Sequence, residues 1–214
     1  IGQILLTRFY LSDQEYFTNL QRVIGEMLDR TILPIINEND AVVAGTDLSF
    51  DDNDSLAALL AISLHTKSLI IMSHIDGLFS EDPSDNPNAS LIPEVTDVGT
   101  TFLKFISKKT SVGGRGGMFS KVKAARLCTA IGIGVSVING CIEGNLAKAL
   151  ARERVGTFFR PRVFSRQLRN KERWMLAKKN SSGSIEVDAG AENALRKGKS
   201  LLVVGVKKIY GQFE

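Results

Sequence analysis

The sequence predicts an α/β protein in which helices pack on a largely parallel β-sheet, followed by a second, smaller unit. Short apolar runs alternate with amphipathic stretches over residues 1–159, as in folds whose strands are joined through helices. The apolar runs do not alternate with polar residues and are rich in branched side chains, which is typical of parallel strands buried on both faces. A basic segment after Phe159 ends this pattern.

The elements of the first unit follow from these patterns in order. Residues 4–7 predict a strand. Residues 13–30 predict a helix with one apolar side, made of Phe17, Leu20, Val23, Ile24 and Leu28. Short branched runs predict strands over residues 32–36, 68–72 and 134–138. Alanine-rich or amphipathic stretches predict helices over residues 54–64 and 118–131.

The second unit begins after a basic connector. Residues 160–182 are rich in Arg and Lys and end in a polar, turn-prone stretch. Beyond them, residues 184–188 alternate like a strand, residues 189–196 suit a short helix, and residues 201–204 predict a strand. We therefore expect three parts: a first domain over 1–159, a linker over 160–182 and a small β-rich unit over 183–214.

Composition narrows the class of protein. The chain has 214 residues, 43% of them hydrophobic, and a net charge of +4, which is ordinary for a soluble globular protein with anionic ligands. Cys128 and Cys141 are too few for a disulfide framework, so we expect buried free thiols. No apolar run reaches the roughly 18 residues of a membrane span, and we expect a cytoplasmic protein. Because the chain opens on a strand-like run without Met, we also expect a fragment.

Two polar loops follow predicted strands or open predicted helices. Asn37-Glu38-Asn39-Asp40 comes directly after the strand over 32–36, where the carboxyl ends of parallel strands form a ligand crevice. Amides and carboxylates there suit a small polar metabolite, with Asp40 suited to an ammonium group. The alternative is a plain turn with Asx capping.

The second polar loop, residues 51–55, reads Asp-Asp-Asn-Asp-Ser and opens the alanine-rich helix. Asp, Asn and Ser favour helix N-termini, but a cap needs only one of them. Three crowded carboxylates repel one another unless cations meet them. Lysines or a magnesium–nucleotide complex are the expected partners.

Residues 111–121 form a glycine-rich loop ahead of the helix over 118–131. Four glycines and a helix N-terminus make an anion site, and Lys121 lies one turn into the helix, where it can reach a transferring phosphoryl group. The pattern is neither a Walker A loop nor a dinucleotide fingerprint, and a flexible hinge is the alternative. Ser73-His74, after the strand over 68–72, suits one wall of a nucleotide pocket, or else a tight turn whose histidine only packs.

Taken together, the stretches 34–40, 52–58, 76–79, 114–121 and 155–159 resemble the amino acid kinase family, and within it the members that phosphorylate glutamate. The resemblance implies a three-layer αβα sandwich with a mainly parallel sheet. It implies transfer of the γ-phosphoryl group of ATP, with Mg²⁺ held mainly through the phosphates, to the side-chain carboxylate of L-glutamate, the first step of proline biosynthesis. Residues 183–214 resemble the start of a PUA domain.

The resemblance also implies roles for individual residues. Asp40 and Asn53, with Asn37 as a neighbour, correspond to positions that bind glutamate. Asp54 corresponds to the carboxylate that orients catalytic lysines, and Lys121 to one of those lysines. No protein metal ligands are implied. The positions implied for ATP are Ser73, His74, Arg115, Gly116, Gly117, Met118, Phe119, Ser120 and Lys121.

The chain departs from the family pattern at several positions, and the resemblance also implies binding partners. The nucleotide dipeptide is usually Thr-Asp, whereas here it is Ser73-His74, and Arg115 and Phe119 stand where many relatives carry small residues. The family's first strand, with its glycine loop and first lysine, is absent. The resemblance further implies a homo-oligomer and proline as a feedback inhibitor.

Two other functions remain open from the sequence. The first is a kinase of the same fold acting on aspartate, acetylglutamate or a nucleoside monophosphate. Asp40 argues against acetylglutamate, which has no ammonium group to meet. The second is RNA binding through the basic connector and the PUA-like tail. The connector carries only Phe164 and Trp174 as stacking residues, unlike single-strand binders.

Overall fold

The computed structural model describes residues 1–43, 49–98, 117–163 and 183–211, apart from the side chain of Ser12. The chain divides into two compact units, residues 1–177 and 178–214. The strands of the first unit are β1 (Gly2–Leu6), β2 (Pro34–Glu38), β3 (Ser68–Ser73), β4 (Glu94–Val95), β5 (Gly134–Asn139) and β6 (Thr157–Phe159). Its helices are α1 (Phe9–Ser12), α2 (Gln14–Asp29), α3 (Asp40–Val43), α4 (Asn53–Ser63), α5 (Met118–Thr129) and α6 (Asn145–Leu150).

The strands of the first unit form two sheets within the described residues. β1 pairs in parallel with β2, with Ile4 opposite Ile36. The second sheet has the order β3-β5-β6-β4. In it β3 runs parallel to β5 and β4 parallel to β6, whereas β5 and β6 are antiparallel. The predicted α/β class with mainly parallel pairing is therefore confirmed.

Helix α2 begins where the Asp13 side chain accepts hydrogen bonds from two backbone amides, and it buries Phe17, Leu20 and Ile24 as predicted. The prediction was wrong for Val23 and Leu28, which are 45% and 54% exposed, because they lie at the edge of the apolar face. Helix α4 contacts β2, β3 and α5, and α5 contacts β5. One continuous core joins α4, α5 and β5, with Ile62, Val135 and Val137 at 0% exposure. This core holds the first turns of α4 and α5 against each other.

The turn after β3 is fixed by one buried threonine. The Thr157 hydroxyl donates to the Ile92 carbonyl (2.6 Å) and accepts from the Leu78 amide (2.8 Å). Leu78 is 5% exposed, so this amide is held within the core. Gly156 precedes this threonine at a φ of +68°, and a Cβ atom there would lie 2.1 Å from the Val137 carbonyl oxygen. Only glycine fits this approach of the backbone to β5.

The second unit contains β7 (Gly183–Val187), helix α7 (Ala189–Arg196), a 3₁₀ turn (Val203–Gly205) and β8 (Val206–Gly211). β7 and β8 are antiparallel, and Asp188 caps α7 by accepting from the Ala191 amide (2.7 Å). The strand predicted over residues 201–204 is wrong. Val203 and Val204 are 90% and 88% exposed, so these apolar side chains mark a turn, and the strand begins at Val206.

Other expectations differ by small shifts. β2 lies two residues later than its predicted range of 32–36, so that Asn37 and Glu38 are inside the strand. Cys128 is buried as expected, but Cys141 is exposed, because it follows the end of β5 where the chain leaves the core. Within the described ranges, every helix is too short or too polar to cross a membrane.

The two cysteines should differ sharply in reactivity. Burial raises the pKa of the Cys128 thiol to about 12, so almost none of it is thiolate at pH 8, and its side chain is 0% exposed. Exposed Cys141 should react with iodoacetamide at least about 100-fold faster. Peptide mass spectrometry after timed labelling measures both rates, and unfolding in denaturant should make them similar. Equal labelling of the native protein would contradict the burial of Cys128.

Candidate active site

The centre of the candidate site is an ion pair between Asp54 and Lys121. Nζ of Lys121 lies 3.0 Å from Oδ2 of Asp54, and the two side chains are only 11% and 16% exposed, respectively. The Ser120 hydroxyl lies within hydrogen-bonding distance of the same carboxylate oxygen (2.5 Å) and of the Gly117 carbonyl (2.8 Å). One carboxylate oxygen thus meets an ammonium group and a buried hydroxyl, away from most solvent screening.

The local sequence explains why these groups meet. Asp52 caps α4 by accepting from the Ser55 amide (2.6 Å), which leaves the Asp54 side chain available to face α5. Lys121 lies in the first turn of α5, where the positive end of the helix dipole disfavours a cation. The carboxylate of Asp54 offsets that repulsion. The Asp54–Lys121 pair therefore allows a lysine ammonium group to lie at a helix N-terminus, where the helix dipole alone would repel it.

A second set of charges lies beside this pair. Nζ of Lys123 is 2.7 Å from Oδ2 of Asp51, and Nη2 of Arg8 is 3.5 Å from Oδ1 of the same carboxylate. Arg8 also donates through Nε to the Ser49 carbonyl (2.8 Å), and its guanidinium lies 5.6 Å from the centre of the Phe50 ring. The prediction that cations meet the crowded acids of residues 51–54 is confirmed.

The residues expected to hold the acceptor lie on neighbouring elements. Asn37 is exposed within β2, Asp40 is the exposed first residue of α3, and Asn53 is the exposed first residue of α4. The Glu38 side chain accepts a hydrogen bond from the Phe50 amide, which ties the end of β2 to the segment leading into α4. The end of β2 and the start of α4 are therefore joined directly.

The Ser73-His74 dipeptide, which we expected to contact a nucleotide, lies at the end of β3. Ser73 is half-buried and His74 is exposed. Asn139, at the end of the neighbouring β5, donates through Nδ2 to the His74 carbonyl (3.5 Å) and to Oδ1 of Asp76 (2.8 Å). The Gly140 amide donates to the Ser73 carbonyl (2.8 Å). The Asn139 side chain and the Gly140 amide thus position the dipeptide through its main-chain carbonyl oxygens.

The glycine-rich loop is described only from Gly117 onward, and Arg115 and Gly116 lie outside the described residues. Gly117 is exposed and is the N-cap of α5, and no side chain of the described residues caps this helix. Met118 packs against the core, whereas Phe119 is 55% exposed. A helix N-terminus next to a lysine offers backbone amide donors and positive charge of the kind that a phosphate group requires.

Acidic groups of this site are engaged with the protein's own cations and amides. Where the structure describes the chain, no group of three or more His, Cys, Asp or Glu side chains is arranged to hold a metal ion. The arrangement instead offers positive charge and amide donors at the start of α5 and carboxylates at the start of α4. Such a site can bind and stabilise an anionic group between the two helices.

Comparison with known proteins identifies the family. The model of the amino acid kinase family matches residues 1–139, and the PUA domain model matches residues 183–214. The chain belongs to the amino acid kinase family.

Named relatives agree with this membership. This chain is similar to the glutamate 5-kinases of Dictyoglomus turgidum (39% identical over 215 residues) and Vibrio parahaemolyticus (41% identical over 214 residues). Both comparisons cover 100% of this chain and 56% of the relative, so the chain spans just over half the length of these relatives. Among solved structures, a UMP kinase from Bacillus anthracis aligns with 67% of this chain and 52% of that chain, at 17% identity and a TM-score of 0.48.

The sequence of this chain did not predict the site contacts of several residues. Arg8, Glu38 and Asn139 all contact site segments more than ten residues away along the chain, and no local motif marks them. Lys123 was indicated only indirectly, because the crowded acids at residues 51–54 predicted lysine partners without identifying which lysines. Ser120 lies within the predicted phosphate loop, but its contact with Asp54 requires the packing of α4 on α5.

Removing the Asp54 carboxylate should destabilise the first unit. Asp54→Ala leaves a mostly buried ammonium group without its carboxylate partner, and we expect the free energy of unfolding to fall by about 1–3 kcal/mol. Denaturant unfolding of the whole protein measures this, and Glu26→Ala, which breaks the exposed Arg22–Glu26 pair, should cost far less.

A double variant tests whether the loss comes from the pair. Adding Lys121→Met to Asp54→Ala removes the unpaired charge, so the two losses should not add. Additive losses would mean that the two side chains stabilise the fold independently.

Proposed function

We propose that the protein to which this chain belongs transfers the γ-phosphoryl group of ATP to the side-chain carboxylate of L-glutamate, giving L-glutamate 5-phosphate for proline biosynthesis. The observation that carries the proposal is the Asp54–Lys121 pair at the start of α5, directly after a glycine-rich loop. The names of the relatives, glutamate 5-kinase, support the choice of acceptor.

Phosphoryl transfer requires little covalent chemistry from a protein. It needs the two reactants held in line and the charge of the moving phosphoryl group stabilised. Lys121 has its ammonium group held by Asp54 at 3.0 Å, so its position is set before substrate arrives. In this proposal Lys121 stabilises the phosphoryl charge, and Asp54 orients it together with Ser120.

The donor nucleotide is assigned to the ends of β3 and β5 and to the start of α5. Ser73 and His74 contact the nucleotide, and the segment from Arg115 to Lys121 receives its phosphates. The uncapped start of α5 fits this role because its amides have no side-chain cap among the described residues. The Ser120 hydroxyl meets Asp54 and Gly117, and its amide donates to the Gly117 carbonyl at 3.1 Å, so we assign to Ser120 the positioning of the Asp54 carboxylate within the phosphate site.

The acceptor is assigned to the polar residues Asn37, Asp40 and Asn53. Asp40 is an exposed carboxylate near the end of β2, which suits the ammonium group of an amino acid. Asn53 and Asn37 supply amide donors for carboxylates. Glu38 and Phe50 connect their elements by a direct hydrogen bond, which supports a shared binding surface.

Magnesium fits this site as a companion of the nucleotide. Because the Asp51 and Asp54 carboxylates are engaged with Lys123 and Lys121, the phosphates are its natural ligands. Mg²⁺ neutralises phosphate charge and orients the transferring group. The protein's own contribution in this region is Lys121 and the amides of α5.

The proposal predicts a glutamate-dependent acyl phosphate. The whole protein, incubated with ATP, Mg²⁺ and glutamate, should form a product that hydroxylamine traps as a hydroxamate. Parallel reactions with aspartate, acetylglutamate or UMP as the acceptor are measured through the release of ADP. They should run at less than about a tenth of the rate with glutamate. ADP release with another acceptor and none with glutamate would assign the protein to that acceptor.

Two substitutions should separate the roles of donor and acceptor residues. Lys121→Ala should lower kcat by about 100-fold or more with little change in the KM for glutamate, because it removes an interaction of the transition state. Asp40→Ala should raise the KM for glutamate about tenfold or more, because a charged hydrogen bond to the ground state is lost. Steady-state kinetics of the whole enzyme measures both, and the reverse pattern would exchange the two assignments.

A further inference from the structure

Arg8, Asp51 and Lys123 form a charged cluster that the proposed reaction does not use, here called the outer cluster. Asp51 accepts from Lys123 at 2.7 Å through Oδ2 and from Arg8 at 3.5 Å through Oδ1. Each carboxylate oxygen therefore faces a cation from a different part of the chain. Neither cation lies within the loops assigned to ATP or glutamate.

The outer cluster joins the same two segments as the Asp54–Lys121 pair. Asp51 lies three residues before Asp54, and Lys123 lies two residues after Lys121 on α5. Two ion pairs thus connect the segment leading into α4 with the first half of α5. The buried core already packs α4 on α5, and the two separated ion pairs add a constraint on the orientation of the segment that leads into α4.

Arg8 extends this connection to the corner after β1. Its Nε donates to the Ser49 carbonyl at 2.8 Å, and its guanidinium lies over the ring of Phe50, which is only 5% exposed. Arg8 therefore contacts three consecutive residues, 49 to 51, immediately before the capping residue Asp52. Such contacts restrict the backbone that leads into the first turn of α4.

We propose that Asp51 is a positioning residue for the Asp54–Lys121 pair, and that Arg8 and Lys123 act through it. The inference rests on the proposed function, since it concerns the pair assigned there to phosphoryl transfer. Asp51 and Lys123 are each 36% exposed, so salt screens their attraction and the stabilisation of the fold is small. The effect of the cluster is on the geometry of α4 against α5.

The first test uses Asp51→Asn in the whole protein, a change that keeps the shape of the side chain and removes its charge. We expect kcat to fall roughly three- to thirty-fold, with the KM values for ATP and glutamate within about two-fold of the original. Glu26→Gln, which breaks an exposed ion pair on α2, is the matched control and should leave kcat unchanged. A rise in the KM for either substrate at constant kcat would overturn the proposal, because Asp51 would then bind substrate.

Salt and a double variant separate positioning from general structural damage. Raising monovalent salt from about 0.05 to 0.5 M should lower the kcat of the original enzyme more than that of Asp51→Asn, since only the original has the attractions of Asp51 to Lys123 and Arg8 to screen. Lys123→Met should lower kcat in the original enzyme and add nothing to Asp51→Asn. Independent, additive losses would overturn the proposal.

A measurement without turnover distinguishes this proposal from the proposed function. Hydrogen exchange of the amides of residues 49–56 should be faster in Asp51→Asn than in the original protein and unchanged in Glu26→Gln. If the original enzyme phosphorylates no glutamate, the proposed function fails, and faster exchange still supports the positioning of α4 by Asp51. Unchanged exchange in Asp51→Asn overturns the positioning role even in an active enzyme.

Discussion

The contact between the Asp54 carboxylate and the Lys121 ammonium group is the interaction on which the site depends. The first turns of α4 and α5 face each other, and both helix N-termini are electropositive. A lysine at the start of α5 adds to that positive field. The carboxylate of Asp54, 3.0 Å from that ammonium group, offsets the positive field and allows the two helix N-termini to approach each other.

Three nearby acids each contact a different partner in this arrangement. Asp52 satisfies a backbone amide of α4, Asp51 meets two cations at the surface, and Asp54 meets Lys121 where little solvent reaches. Only Asp54 lies within α4, whereas Asp52 is its extended N-cap and Asp51 precedes the cap. The change from extended to helical backbone at this point turns the three acids toward different partners, so their mutual repulsion is offset one by one.

The sequence predicted those parts of the fold and site that local patterns encode. Helices α2, α4 and α5, strands β3 and β5, and the position of Lys121 one turn into α5 all follow from periodicity and caps. The contacts of Arg8, Glu38 and Asn139 could not be predicted in the same way, since they join residues far apart in the chain. Residues 201–204 were assigned to a strand because they are apolar, but apolar composition does not ensure burial, and Val203 and Val204 lie in an exposed turn.

The way in which β5 holds the end of β3 has a consequence for how this protein can diverge. Asn139 and Gly140 reach His74 and Ser73 through main-chain carbonyl oxygens, which every amino acid possesses. The path of the backbone at this corner is therefore independent of the identities of the two side chains. Replacement of either side chain therefore changes the chemistry at this corner while the main-chain hydrogen bonds that hold the loop remain available.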